Sequence, residues 1–137
     1  MAIPQALRNL VILRAGNRCE YCGLSQVGQE ATFHVDHIVP VTDSGPTDEG
    51  NLALACVSCS LKKGARQWVT EPGSDEPVRL FHPRLDAWSE HFRWQTSELE
   101  GINARGRATV RALDLNRPMI LAIRAEEAHW GRHPPAL

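Results

Sequence analysis

The sequence predicts an α+β protein whose N-terminal part is held together by four cysteines. Three observations favour this fold class. Two Cys-x-x-Cys pairs flank a segment in which apolar and polar residues alternate, as they do in a β-strand. Apolar residues recur at helical spacing before the first pair, and again in two segments near the C-terminus. We expect a core over residues 1–70, and over residues 71–137 a β-hairpin with helices that packs on the core.

Bulk composition restricts the classes of protein that are possible. The chain has 137 residues, of which 42% are hydrophobic and 23% charged, as in ordinary soluble proteins. Its net charge of -1 means that any binding of nucleic acid must come from a local basic surface. Polar residues interrupt the first 18 positions, and no apolar stretch approaches the roughly 20 residues that span a bilayer. We therefore expect a cytoplasmic protein without membrane contact, and the sequence predicts no particular oligomeric state.

The N-terminal part is predicted to contain a helix, a strand, a loop and a second helix. The first helix begins near Pro4, which suits a first helical turn, and ends before Gly16. The strand covers residues 32–39, where apolar side chains occupy alternate positions. Residues 40–50 are rich in Pro, Gly, Asp, Ser and Thr, which is typical of a loop. The second helix is expected over residues 56–68.

The C-terminal part begins with a predicted linker over residues 71–77, which contain two prolines, a glycine, a serine and three acids. Short strands are expected over residues 78–81 and 92–102. An asparagine can cap a helix over residues 103–115, and a proline at a first helical position starts another over residues 118–130. This part therefore supplies the additional hairpin and the C-terminal helices.

Four cysteines predict a metal site. Each Cys-x-x-Cys pair places two sulfur atoms at one turn, and two pairs fill the four positions of a tetrahedral zinc ion. Because no position is left for water or substrate, the zinc would be structural. The alternatives are two disulfides, a redox-active pair or unpaired core cysteines, and the repeated spacing favours zinc. The predicted ligands are Cys19, Cys22, Cys56 and Cys59.

Between the pairs lies the sequence Phe-His-Val-Asp-His-Ile-Val-Pro over residues 33–40, then a glycine-bearing loop and Asn51-Leu52. The second pair continues as Ser60-Leu-Lys-Lys-Gly64. This order resembles the zinc-bearing branch of the HNH endonucleases, or His-Me finger nucleases, including bacterial HNH proteins with a C-terminal extension. The resemblance implies a ββα-metal core and a metal-dependent endonuclease that hydrolyses phosphodiester bonds of nucleic acid, with DNA as the expected substrate.

The resemblance also implies a role for each polar residue of the motif. His37 would be the general base, because a neutral imidazole can take a proton from water near neutral pH. Asp36 would bind the catalytic cation, Mg²⁺ or another divalent ion, since such ions prefer oxygen ligands. Asn51 would hold the loop through backbone hydrogen bonds and so keep the imidazole oriented.

One motif position departs from the family. The residue after the second pair, which serves as the second ligand of the catalytic cation, is usually Asn or His, and here it is Ser60. Either the serine hydroxyl binds the cation, or another residue replaces it, or catalysis is lost. The candidate replacements are His34, His82 and His91. The third possibility is an alternative function: a catalytically impaired, zinc-containing module that binds nucleic acid.

Basic and aromatic residues are the remaining candidates for contact with nucleic acid. Lys62, Lys63 and Arg66 follow the second cysteine pair and form either a phosphate-facing strip or a solvated helix face. In the C-terminal part, Arg107 and Arg111 share a predicted helix face that could touch the nucleic-acid backbone. The aromatic residues there are expected to build a core rather than to stack on bases; they are Trp88, Phe92 and Trp94.

Overall fold

The computed structural model describes residues 2–136 and shows a mixed α/β chain. Within those residues it contains four α-helices and three two-stranded antiparallel sheets. The chain divides into two compact units, with unit 1 ending at Ala65 and unit 2 beginning at Arg66. None of the helices within residues 2–136 combines the length and apolar character that crossing a membrane requires.

Unit 1 consists of a helix, a β-hairpin and a second helix. These elements are α1 (Gln5–Arg14), β1 (His34–His37), β2 (Leu52–Ala55) and α2 (Val57–Lys63). In the hairpin, His34 lies opposite Ala55 and His37 lies opposite Leu52. The guanidinium of Arg14 donates to the carbonyl oxygens of Glu49 and Leu52 at 2.8 and 2.9 Å, so it joins the end of α1 to the start of β2.

The core of unit 1 is built around β2. All four residues of this strand are buried, which explains why it reads as a continuous apolar run rather than an alternating one. Val11 of α1 is completely buried. Val35 of β1 and Ile38, which directly follows that strand, are also buried. The register of the hairpin follows from β1, where His34 is exposed and Val35 is buried, because a slip of one residue would exchange these two faces.

Unit 2 contains two β-hairpins and two helices. The strands are β3 (Trp68–Thr70), β4 (Pro77–Arg79), β5 (Phe92–Gln95) and β6 (Glu98–Gly101), followed by α3 (Ala104–Ala112) and α4 (Pro118–His129). The Asn103 side chain accepts a hydrogen bond from the Gly106 amide at 2.9 Å and so caps α3, as predicted. The β5–β6 hairpin and both C-terminal helices lie within the predicted ranges.

The aromatic residues of unit 2 pack on one another. Trp88 contacts Phe92 and Trp94 with ring centroids 5.1 and 5.5 Å apart, and Phe92 is buried. The guanidinium of Arg124 lies 5.0 Å from the centre of the Trp94 ring. These contacts agree with the prediction of a core rather than a base-stacking surface.

The structure corrects three expectations near the middle of the chain. Helix α2 ends at Lys63 and not at Trp68, because Gly64 adopts a φ of +53° and turns the chain. Residues 71–76 are not a linker; they connect β3 and β4, whose residues Trp68 and Arg79 lie opposite each other. The boundary between the units falls at 65/66, five residues before the predicted 70, because β3 pairs within unit 2.

Candidate functional site

Four buried cysteines of unit 1 are positioned to bind a metal. Their sulfur atoms all lie within 4.8 Å of one another, and the four residues are Cys19, Cys22, Cys56 and Cys59. The Sγ atoms of Cys22 and Cys56 are 3.8 Å apart. Tetrahedral zinc with bonds of about 2.3 Å requires sulfur separations of about 3.8 Å. No disulfide joins these cysteines.

Backbone hydrogen bonds hold the two cysteine turns in place. The amides of Cys22 and Cys59 donate to the sulfur atoms of Cys19 and Cys56 at 3.5 and 3.4 Å. The main chain of Glu20 donates to the Leu54 carbonyl, and the Glu20 carboxylate accepts from the Leu54 amide, both at 2.8 Å. The first turn is therefore fixed to β2, directly before the second turn.

The electrostatics of the quartet fit a cation. Burial raises the pKa of the Cys19 thiol well above its ordinary value. The hydrogen bond with Cys19 is the main cause that raises the pKa of Cys59, whereas hydrogen bonds from Cys19 and Cys22 lower the pKa of Cys56. Buried thiols this close do not all ionise unaided, because their charges repel. A divalent metal supplies the compensating charge, so this donor set suits a thiolate-binding ion such as zinc.

A second site lies where β1 meets the loop and α2. An open cavity of about 320 Å³ is lined by Asp36, His37 and Ser60 together with residues of the loop and of the α2 C-terminus. Asp36 and His37 are neighbours, yet both line this cavity and both are half-buried. They are the last two residues of β1, and the cavity lies at this end of the strand. The predicted pair is therefore brought together with the position of Ser60.

His37 has a specific hydrogen-bond partner. Its Nε2 atom lies 2.8 Å from the Thr47 hydroxyl, which projects from the loop between β1 and β2. Thr47 is not among the site residues predicted from the sequence. The loop also carries Thr42 and Ser44, and nothing in the sequence separates these three hydroxyls, so only the folded loop identifies the one that meets the imidazole.

Asn51 holds the two ends of the loop together. Its Oδ1 accepts from the Val39 amide at 2.9 Å, and its Nδ2 donates to the carbonyl oxygens of Val39 and Pro46 at 3.0 and 2.9 Å. Asn51 is buried, so these bonds are shielded from water. Gly45 packs against the same point: a Cβ atom there would lie 1.8 Å from the Val39 carbonyl oxygen. The predicted loop-holding contacts of Asn51 are therefore present.

Ser60 is engaged by His34, one of the three candidate replacements. The Ser60 hydroxyl lies 2.9 Å from Nδ1 of His34, which is exposed and on the same face of β1 as Asp36. The other two candidates lie in unit 2 with partners there. Nδ1 of His82 accepts from the Arg84 amide at 3.1 Å, and Nδ1 of His91 contacts the Asn103 side chain.

The three predicted phosphate-binding cations do not form one strip. Lys63 is only 4% exposed, and its ammonium group donates to the Ile38 carbonyl at 2.9 Å. The expectation that Lys63 faces nucleic acid is therefore corrected: it joins α2 to the chain after β1. Arg66 belongs to unit 2, where its guanidinium donates to the Ala112 carbonyl at 3.1 Å. Lys62 is exposed on α2.

Comparison with known proteins matches the same region. The sequence model of the HNH endonuclease family matches residues 19–66. The chain is also similar to the Septu protein PtuB of Bacillus thuringiensis, with 28% identity over 106 residues. That alignment covers 75% of this chain and 38% of the relative, so the chain spans well under half the length of that protein. No solved structure matches the chain significantly.

Proposed function

We propose that this protein is a metal-dependent endonuclease of the HNH type that hydrolyses DNA phosphodiester bonds, because the sequence model of the HNH endonuclease family matches residues 19–66. Its catalytic core would be the ββα-metal arrangement of β1, β2 and α2. The observation that carries the proposal is the shared cavity of Asp36, His37 and Ser60, which combines a base with oxygen ligands for a cation. Hydrolysis of a phosphodiester needs both groups, since the attacking water must lose a proton while charge builds up on the phosphate.

His37 would act as the general base of the reaction. The hydrogen bond between Nε2 and the Thr47 hydroxyl restricts rotation of the ring. With Nε2 donating to Thr47, Nδ1 is left unprotonated and accepts the proton of the attacking water. Asn51 contributes indirectly, because its bonds to Val39 and Pro46 fix the loop that carries Thr47. The loop thus serves to orient the base.

Asp36 would hold the catalytic Mg²⁺ or another divalent cation, with Ser60 or His34 beside it. Such an ion takes few protein ligands, keeps several waters and binds substrate phosphates, so one carboxylate in an open cavity suits it. When bound, the ion neutralises charge on the phosphate and on the leaving oxygen. The four cysteines would hold a separate, structural Zn²⁺ that fixes β2 and the start of α2.

Ser60 favours one alternative function. Its hydroxyl is already bonded to His34, and a serine is a weaker ligand than the usual asparagine or histidine. A chain that binds the cation too weakly would still bind nucleic acid. This alternative is a catalytically impaired, zinc-containing module that binds nucleic acid without cleaving it.

A plasmid-nicking assay with pure zinc-loaded protein separates the two functions. We expect nicking with Mg²⁺ or Mn²⁺, and its loss by about 100-fold or more in His37→Ala, because the base is removed. His129→Ala, at an exposed position of α4 in unit 2, is the matched control and should cleave normally. Equal cleavage by His37→Ala and wild type would sink the assignment of the base. Binding of DNA without nicking under any divalent ion would select the impaired module, and parallel RNA substrates test the preference for DNA.

A further inference from the structure

Most arginines of unit 2 have partners within the unit. Four of them pair with carboxylates, namely Arg79, Arg93, Arg105 and Arg132. Arg124 is buried against Trp94, and Arg66 and Arg117 donate to backbone carbonyls. Arg107 and Arg111 differ from these. Both are exposed, and neither guanidinium makes a hydrogen bond or ion pair with any residue that the structure describes.

Arg107 and Arg111 lie on the outer face of α3. The exposed positions of this helix are Ala104, Arg107 and Arg111, and its inner face buries Gly106, Ala108 and Thr109. The helix contains no acidic residue, and the first carboxylate beyond it belongs to Asp114. Two like charges four residues apart on a helix repel each other. No carboxylate on the helix offsets that repulsion, which a polyanion bound to this face would relieve.

Close backbone packing holds α3 firmly against the β5–β6 hairpin. A Cβ atom on Gly106 would lie 2.0 Å from the His91 carbonyl oxygen, and one on Gly101 would lie 2.3 Å from the Arg107 amide nitrogen. The helix therefore lies directly on the hairpin backbone. At its other end, the Arg66 guanidinium donates to the Ala112 carbonyl and so anchors the helix C-terminus. The outer face is thus presented on a fixed element.

We propose that this surface, the α3 arginine face (Arg107 and Arg111), binds the phosphate backbone of nucleic acid independently of the cavity in unit 1. Guanidinium groups make paired hydrogen bonds to phosphate oxygens, and such contacts position nucleic acid without reading its sequence. Because unit 2 carries ten arginines and ten acids, the face is a local feature and not a result of net charge. The proposal relies on the proposed function only for the identity of the polyanion.

The test is direct binding of labelled DNA to the zinc-loaded full chain without added divalent cation, measured by fluorescence anisotropy at several salt concentrations. Arg107→Gln/Arg111→Gln removes two phosphate contacts. We expect affinity to fall about 10-fold and the slope of log K against log salt to decrease in magnitude by nearly 2, since each duplex phosphate contact contributes about 0.9. Arg66 is left intact because it bonds the end of α3.

The matched control, Arg8→Gln/Arg93→Gln, removes the same charge from α1 and β5 and should keep the wild-type slope. Equal slopes for the face variant and the wild type would overturn the proposal while leaving the nuclease assignment intact. If the face variant loses as much affinity for an acidic polypeptide as for DNA, the partner is not specifically nucleic acid and the proposal also fails. A wild-type chain that binds no DNA even at low salt would overturn both this proposal and the proposed function. Thermal melting verifies that both variants fold.

Discussion

At the scale of single residues, the shape of the loop between β1 and β2 depends on a few residues that other residue types cannot replace. Asn51 satisfies three backbone groups, and Gly45 fits where any Cβ would overlap the Val39 carbonyl. Thr47 then meets His37 because the loop has this shape. An orienting contact of this kind depends on distances below 3 Å, so small shifts of the loop affect the imidazole directly.

Thr47→Val should lower kcat by about 10- to 100-fold with little change in KM, because it removes the hydroxyl from His37 without changing the size of the side chain. Thr47→Ser keeps the hydroxyl and should retain most of the activity. The ¹⁵N chemical shifts of the His37 ring give a readout independent of turnover: the tautomer ratio should change in Thr47→Val alone. A ring spectrum that is identical in both variants would contradict the orienting role.

Gly45→Ala should destabilise unit 1 by about 1–3 kcal/mol, since the new methyl group overlaps the Val39 backbone and the loop must shift. Urea unfolding followed by far-UV circular dichroism measures the change. Gly50→Ala is the control in the same loop, where the nearest atom to an added Cβ is 3.4 Å away. We expect Gly50→Ala to lower the free energy of unfolding much less than Gly45→Ala does. Similar losses in both variants would show that the overlap at Gly45 is relieved without strain.

At the scale of elements, α2 combines three tasks in seven residues. Cys59 contributes a sulfur to the quartet, Ser60 lines the cavity, and Lys63 joins the last turn to the Ile38 carbonyl. Adjacent lysines therefore serve different purposes, because their side chains leave the helix about 100° apart. One is buried and structural, and the other is exposed.

The pair Lys62→Met and Lys63→Met tests this division. Lys63→Met leaves the Ile38 carbonyl without its ammonium donor, so we expect a loss of about 1–3 kcal/mol in the free energy of unfolding. Lys62→Met should change stability by less than about 0.5 kcal/mol and weaken DNA binding instead. Both variants are measured by chemical denaturation and by fluorescence anisotropy. Only Lys63→Met should lose stability, and only Lys62→Met should lose affinity for DNA. If instead Lys63→Met loses DNA affinity and keeps its stability, Lys63 contacts nucleic acid and the structural role is wrong.

At the scale of the whole molecule, two small units each need their own source of stability. Unit 1 has a core centred on one strand and four cysteines placed for a metal. A core of this size gives a small net stability, and small domains commonly depend on metals or disulfides for that reason. Unit 2 has an aromatic and aliphatic core of its own, with Phe92, Leu99 and Leu113 almost fully buried.

Removal of the metal should therefore unfold unit 1 and leave unit 2 folded, because the proposed zinc ligands all lie in unit 1. The chain has a built-in reporter: the four tryptophans are all in unit 2, and the single tyrosine, Tyr21, is in unit 1. After chelation we expect tryptophan emission to stay native while hydrogen exchange accelerates across β1 and β2. Cys59→Ser should behave like the chelated protein. Simultaneous loss of the tryptophan signal would contradict independent stability of unit 2.

The sequence by itself determined the features that are written in short, local patterns. The cysteine quartet follows from two repeated spacings, and the helices follow from periodicity and caps. Asp36, His37 and Asn51 were identified as candidate catalytic residues by their resemblance to the HNH motif, which contains all three within a short stretch.

Only the tertiary structure decided which groups meet. It paired His37 with Thr47 and Ser60 with His34, and it gave His82 and His91 partners in unit 2. It also buried Lys63, ended α2 at Gly64 and assigned residues 66–70 to unit 2. Each of these depends on the path of the chain through space, since hydrogen bonds act over about 3 Å between residues far apart in sequence. The clustering of the four buried cysteines was therefore predictable from spacing, whereas the surroundings of the candidate base were not.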